Sequence, residues 1–528
     1  MTRHGILNTP GVDKLAIAVE ESARAANISN PRFVEPARGT LDRAKSRRHH
    51  IVFGRRGSGK TSLLAKAAAD LTVDRRPIAF VNLETFKGHS YPDVLLSVLI
   101  ETLDNFKKWF DTAAVNPASK TTFWKRLFGA PPSRPPLRRA EVQPIIEAID
   151  TQSKELRKQL FVPESAAVVT TTEQSREAGT ADGVKTAVIA GPVAVGASAD
   201  STTRSASSSR VVEESRRQKI DFLHRWLIEF QGLFRRVAEV SDGDAFLFLD
   251  DLYHIRRLDQ PNVIDYFHRI AKGSRLWIKI GTIRHRTDWY RHSDPPIGLK
   301  LGDDSEEIDL DLTLEKYDLA RDFLLSVLSD IATRAGVPNV RSLLAPTAIN
   351  RLVLASGGVA RDFLALFRKS IEIARERGAG PRGPRIVAQD VNQAAGEHDA
   401  AKRDELKRDT LEERAQVERA FDAVRKFCIE TANCNCLLIE KDRTDPGAAL
   451  MEELVDLRML HLVQSRVTIS DRPGKLFVAY MLDLGQYTGE RKRRALEMVP
   501  FWTRRAKDRL RRVGLIFDPP QPTARSEA

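Results

Sequence analysis

Apolar residues along the chain come in two alternating kinds of run. Short continuous blocks stand at His50-Ile-Val-Phe-Gly54, Pro77-Ile-Ala-Phe-Val-Asn82, Ala245-Phe-Leu-Phe-Leu249, Leu276-Trp-Ile-Lys-Ile280 and Glu306-Glu-Ile-Asp-Leu310. Their length and their β-branched and aromatic content predict buried strands. Longer segments with helical spacing lie between them, at Lys60 to Leu71, Pro92 to about Phe110, Ile220 to Val240 and Asn262 to Lys272. Strands separated by helices predict an α/β fold, a parallel sheet covered on both faces.

Outside this alternation the pattern changes four times. Residues 1–50 read as a short helix (Val12 to Ala26), an extended piece (Ile28 to Pro36) and a basic helix ending near Arg48. Residues 114–215 read as a low-complexity insertion that divides the core into 51–113 and 216–315. Within it, 35 of the 45 residues from Ser165 to Ser209 are Ala, Gly, Ser, Thr or Val. Such a tract has too little bulky apolar surface for a core of its own. A helix is expected from Ala140 to about Phe161 and a hairpin over Lys185 to Gly196. Residues 316–400 are helical with a Gly357-Gly358 break and read as a lid. Residues 401–528 alternate helix, strand, helix and two strands (Val467 to Ile469, Lys475 to Tyr480), which predicts a winged helix with a basic tail.

Composition narrows the class. The 528 residues contain three cysteines, too few for a disulfide framework, and no apolar run near the roughly 18 residues of a membrane span. The start carries scattered charges and no signal-peptide core, so a cytoplasmic protein without membrane attachment is expected. The net charge of +13 makes a polyanion a plausible partner. That charge is concentrated: between Glu490 and Arg512, ten basic residues stand against three acids.

The strongest chemical signal is Gly54-Arg55-Arg56-Gly57-Ser58-Gly59-Lys60-Thr61, followed by Ser62. It matches the P-loop pattern and sits between a predicted strand and a predicted helix. Glycines let backbone N–H groups curl round phosphate oxygens, the helix N-terminus adds positive potential, Lys60 reaches the outer phosphates, and Thr61 supplies a magnesium ligand. ATP with Mg2+ is therefore the expected cofactor. Such a loop needs a carboxylate at the end of a buried neighbouring strand, and Phe246-Leu-Phe-Leu249-Asp250-Asp251 provides it. Asp250 is the expected metal carboxylate, and Asp251 stands where a water-positioning carboxylate belongs.

These residues, with Gly281-Thr282-Ile-Arg284 after the next strand and Gly357-Gly-Val-Ala-Arg361-Asp-Phe-Leu-Ala-Leu366, resemble AAA+ ATPases of the origin-recognition/initiator type and their signalling STAND relatives. The resemblance covers about 33 to 400 without the insertion. It implies Thr282 as a sensor residue, Arg361 as the lid arginine that touches the γ-phosphate, and Phe33-Val-Glu-Pro36 beside the adenine. Read instead as the Thr-x-Arg of STAND proteins, the same strand end gives Arg284 the γ-phosphate role. Arg284 and Arg286 are also candidates for a finger acting in trans. The strand ends Asp-Asp where many relatives have Asp-Glu, which implies slow hydrolysis.

Two functions follow, a DNA-associated ATPase that engages duplex DNA through the winged helix and basic tail, or a switch in which ATP drives assembly into a homo-oligomer or onto a partner protein. Phe501 and Trp502 read as core anchors within the basic segment. Cys428, Cys434 and Cys436 lack the spacing of a zinc site and read as buried thiols.

Overall fold

The computed structural model describes residues 6–23, 33–114, 137–161, 199–240, 243–378, 382–406, 411–488 and 496–521. The expected hairpin at 185–196 and the Arg491 to Arg494 cluster lie outside the described residues. Strands β1 (His49–Phe53), β2 (Ile78–Asn82), β3 (Ala245–Asp250), β4 (Leu276–Thr282) and β5 (Ser305–Asp309) form one parallel sheet in the order β2-β3-β4-β1-β5. Every residue of β3 is buried, as the continuous run Ala-Phe-Leu-Phe-Leu requires of a strand covered on both faces. This is the P-loop α/β fold. Because β4 lies between β1 and β3, three strand ends converge on one crevice, where ligands bind in open α/β sheets.

Helices α1 (Pro10–Ala23), α2 (Thr40–Lys45), α3 (Lys60–Val73) and α4 (Asp93–Trp109) precede the insertion. The stretch 114–215 is not low-complexity throughout. Helix α5 (Arg139–Leu160) buries Val142, Ile145, Ile149 and Leu156 in the core that also holds the sheet. Its apolar stripe packs on α4, so this part of the chain adds a layer to the core. Helix α6 (Ala199–Glu239) begins 21 residues before the expected Ile220 and runs into the α/β unit, burying Phe230, Leu233 and Phe234. Helix α7 (Gln260–Ala271) packs on α6 and on β4.

Two buried polar side chains hold the N-terminal end of the sheet. Lys279 of β4 is wholly buried and donates to the Ser46 and Arg48 carbonyls at 2.7 and 2.6 Å. Asp244, also wholly buried, pairs with Arg47 and Arg76 at 2.8 Å each and accepts from the Trp277 indole at 3.0 Å. Asp244 is thereby paired, whereas burial pushes the Lys279 amine well below the usual lysine range and the carbonyls take up its hydrogens.

A second core joins the rest. Helices α8 (Tyr317–Arg334), α9 (Pro346–Ser356), α10 (Ala360–Arg377) and α11 (Ala388–Leu406) pack with α1, whose Val12, Leu15 and Val19 are buried there. The N-terminal helix thus belongs to this second core. The same core continues into α12 (Leu411–Lys426) and an antiparallel sheet of β6 (Cys436–Glu440), β7 (Leu460–Val467) and β8 (Phe477–Leu482), ordered β6-β8-β7, with α13 (Pro446–Asp456) between β6 and β7. The expected strand at 467–469 is displaced toward Leu460. Leu460, His461, Val463 and Val467 are buried in that strand, whereas Thr468 opens the turn. No described helix is long and apolar enough to cross a membrane.

Candidate nucleotide site

The P-loop leaves β1 at Gly54 and ends where α3 starts at Lys60. Gly57 and Gly59 have φ of +83° and +99°, a region closed to most side chains, which is why the turn needs glycine. A Cβ at Gly57 would also stand 2.6 Å from the Arg361 Cβ. Arg361 lies in the first turn of α10; its backbone N–H donates to the Gly57 carbonyl at 3.3 Å and its side chain is exposed at the mouth. The start of α10 therefore packs directly on the loop.

Lys60 is 5% exposed, and its amine donates to the Gly54 carbonyl at 2.9 Å and the Arg55 carbonyl at 3.3 Å. Burial lowers its pKa, and Asp251, Asp250 and Asp311 oppose that shift. Next to it the Thr61 hydroxyl hydrogen-bonds the Asp250 carboxylate. Asp250 is 1% exposed; burial, then the neighbouring Asp251, pushes it up to about 7, against the pull of Thr61 and Lys60. A hydroxyl and a buried carboxylate held together beside the lysine fit a hydrated magnesium. The site tolerates no bulk on its β4 side, since a Cβ at Gly281 would stand 2.5 Å from Asp250 Oδ1. Asp251 adopts φ +58° just beyond β3, and its carboxylate groups with Glu84 and His254 within 4.8 Å of one another.

Arg55 is turned from the mouth. Its backbone N–H and Nε bind the Asp311 carboxylate at 2.9 and 3.2 Å, and Nη2 donates to the Gly357 carbonyl at 3.2 Å, tying the loop to the turn before α10. Arg56 lies 5.8 Å over the Tyr253 ring and hydrogen-bonds that phenol. Ser58 forms the loop's turn through its N–H to the Arg55 carbonyl, and Ser62 lies in the first turn of α3. Phe33 approaches Gly59, its ring 4.0 Å from where a Cβ would stand. Thr282 ends β4 between the loop and Asp250, yet its hydroxyl is wholly buried against that of Thr287. Arg284 stacks 3.9 Å over Phe53 and pairs with Glu307 at 3.0 Å.

Sequence reasoning missed Asp311, Tyr253 and the acidic side of α13. Glu453 pairs with Arg286 at 3.3 Å and Glu452 with His285 at 3.1 Å, so the C-terminal module docks on the loop after β4. Asp456 is buried close by and is pushed up to about 6, first by burial, with Asp311 adding to the rise and His285, Arg286 and Arg55 opposing it. The hydrogen bond to Glu452 raises His285 above its ordinary value of 6.5, with burial and then Arg284 opposing.

Both shifts have one sign. Groups whose pKa is raised by docking stabilise the docked state below their undocked values and cease to do so as pH rises through the docked ones. Asp456 thus withdraws its support between about 4 and about 6, and His285 withdraws its own above about 6.5. Glu452, held low by His285, keeps its contribution until the pH falls below the carboxylate range. Hydrogen exchange of 446–456 is expected to slow as pH falls from 8 to 5.5, after correction for intrinsic exchange; corrected protection that is flat or rises with pH would contradict this.

The C-terminal basic segment is partly self-paired. Arg512 and Arg509 reach Glu497 at 2.8 and 3.8 Å, and Arg511 reaches Asp508 at 3.5 Å. Trp502 stacks on Tyr317 with centroids 5.6 Å apart, and Phe501 is buried, so both are core anchors. The three cysteines are buried free thiols.

No protein-family model matches the chain, and no curated protein matches it. Among solved structures it is similar to the Aeropyrum pernix ORC1 protein in complex with DNA, with 13% identity, TM-score 0.36, and 89% of this chain and 94% of that chain covered. It is also similar to the Drosophila ORC bound to DNA, at 12% identity and TM-score 0.33, with 89% of each chain covered. A Walker-type ATPase of Pyrococcus abyssi matches at 12% identity and TM-score 0.34, with 92% and 97% covered. At such identities and TM-scores the chemistry rests on the residues themselves.

Proposed function

We propose that the chain is a magnesium-dependent ATPase of the AAA+ type whose nucleotide state is coupled to duplex DNA. The observation that carries the ATPase half is the convergence of Lys60, the Thr61 hydroxyl and the Asp250 carboxylate at the P-loop, with Arg361 of the lid against Gly57. Thr61 and Asp250 would hold magnesium, which supplies charge neutralisation to the phosphates. Lys60 and the loop N–H groups bind the phosphate oxygens, Arg361 meets the γ-phosphate, and Phe33 flanks the base. Asp251 orients the attacking water, and its short side chain favours slow turnover. The placement of β4 between β1 and β3, and the helical lid after β5, support the AAA+ reading.

The DNA half is supported by the charge of the chain and by the exposed Arg505, Lys507, Arg509 and Arg511, in a module that reads as winged-helix-like from its β6-α13-β7-β8 order. Clustered cations release counterions from a phosphate backbone. One observation favours the second reading, an assembly switch. Helix α13, placed between β6 and β7, carries Glu452 and Glu453 and is engaged with the core.

Steady-state ATP hydrolysis with and without long duplex DNA separates the two. Stimulation by DNA is expected, along with binding that weakens steeply as salt rises. Substituting Arg505, Lys507 and Arg511 with serine should flatten the log–log salt slope by up to about three units. Hydrolysis indifferent to DNA, with salt-insensitive binding, would favour the assembly switch instead.

A further inference from the structure

Helix α13 ends in a Schellman turn. The Met459 N–H donates to the Leu454 carbonyl at 2.9 Å and the Arg458 N–H to the Val455 carbonyl at 3.0 Å. The residue after the C-cap in this turn takes the left-handed conformation and is ordinarily glycine. Here it is Arg458, at φ +63° and 6% exposed. Its side chain crosses to the lid, where Nη1 donates to Asp362 Oδ1 at 2.6 Å, with Asp362 1% exposed.

Asp362 is the next residue after Arg361 in the first turn of α10. Successive side chains on a helix diverge by about 100°. One therefore faces the P-loop mouth while the other is gripped by the C-terminal module. A second contact falls on the same joint. His461, held through Nε2 by Asp483 at 3.0 Å, lies so close to Gly357 that a Cβ there would meet the ring at 2.0 Å. The Gly357 carbonyl in turn receives Arg55 of the loop.

We propose that Arg458 is a positioning residue that sets Arg361 against the P-loop through Asp362, so that the C-terminal module fixes how strongly the site prefers a triphosphate. This rests on the reading of Arg361 as the γ-phosphate group. A left-handed arginine where glycine fits better is explained by this reach, and the pair is too buried to serve solubility.

Arg458→Gly removes the side chain at a backbone position that suits glycine, but it also takes the cation from buried Asp362, so thermal melting of each variant accompanies the titrations. ATP and ADP affinities of the full chain would be measured by calorimetry for wild type, Arg458→Gly, Arg361→Ala and the double variant. Arg458→Gly is expected to lower the ATP-to-ADP affinity ratio about tenfold with ADP binding unchanged, within the usual range of site coupling. Arg361→Ala should lower the ratio at least as far, and the double variant should fall no further than Arg361→Ala alone. Arg458→Lys should restore part of the ratio.

If Arg361→Ala lowers the ratio and Arg458→Gly leaves it unchanged, Arg458 is structural only and the proposal fails while the reading of the site stands. If Arg361→Ala itself leaves the ratio unchanged, the reading of Arg361 and the proposal fail together. Should Arg458→Gly not yield folded protein, Asp362→Asn carries the same test with the same expected direction and the same overturning result.

Discussion

Lys60→Ala is expected to abolish binding and hydrolysis of MgATP while leaving the fold standing. The lysine amine is buried and held by two loop carbonyls, at 2.9 and 3.3 Å, so its charge is aimed into the loop before any ligand arrives. Removing one preorganised charge from a water-poor site costs about a hundredfold or more in rate. Its loss from the fold is small by comparison. Two hydrogen bonds disappear, but so does the cost of burying a cation, and alanine is a good residue at a helix start. A stability change within about 1 kcal/mol is expected. Hydrolysis assays paired with thermal melting check this; a variant that melts as wild type yet keeps its rate would show that Lys60 does not meet the phosphates.

The second large effect is expected at Asp250. Asp250→Asn should remove magnesium-dependent hydrolysis by at least about a hundredfold while nucleotide binding persists. Its effect on stability has the opposite sign. The carboxyl is raised from 3.8 to about 7, mainly by burial, so ionising it opposes folding as pH climbs through that interval. The neutral amide escapes this penalty. The melting temperature of Asp250→Asn relative to wild type should therefore rise between about pH 5 and pH 8. The difference should shrink when magnesium and nucleotide are added to the wild type. A variant less stable than wild type at pH 8 would show that the carboxylate is satisfied within the protein and is not awaiting a cation.

The parts legible in the sequence are those whose chemistry is local. The P-loop is a contiguous string whose glycines meet positive φ, and Asp250 follows an apolar run that can only be a buried strand. The sequence also puts Thr282 at a strand end, but the rotamer that turns its hydroxyl to Thr287 depends on a loop five residues on. Asp311 and Tyr253 carry no local signature, since each matters only because a distant loop folds onto it. The same holds for Arg458, 96 residues from Asp362.

Two details depend on tertiary partners. Helix α5 forms where the spacing predicts a helix, but only the face of α4 makes its Ile145 and Ile149 core residues. In β7, polar His461 is wholly buried because Asp483 receives its ring nitrogen, so alternation of apolar and polar residues does not reveal the strand. Tertiary partners decide the burial in both.

The most direct test of the central claim is calorimetric titration of the wild-type chain with ATP, in magnesium and again after chelation. One saturable site per chain is expected, weakened by chelation and lost in Lys60→Ala. Absence of binding up to millimolar ATP, or equal binding by Lys60→Ala, would contradict a nucleotide site built on this loop.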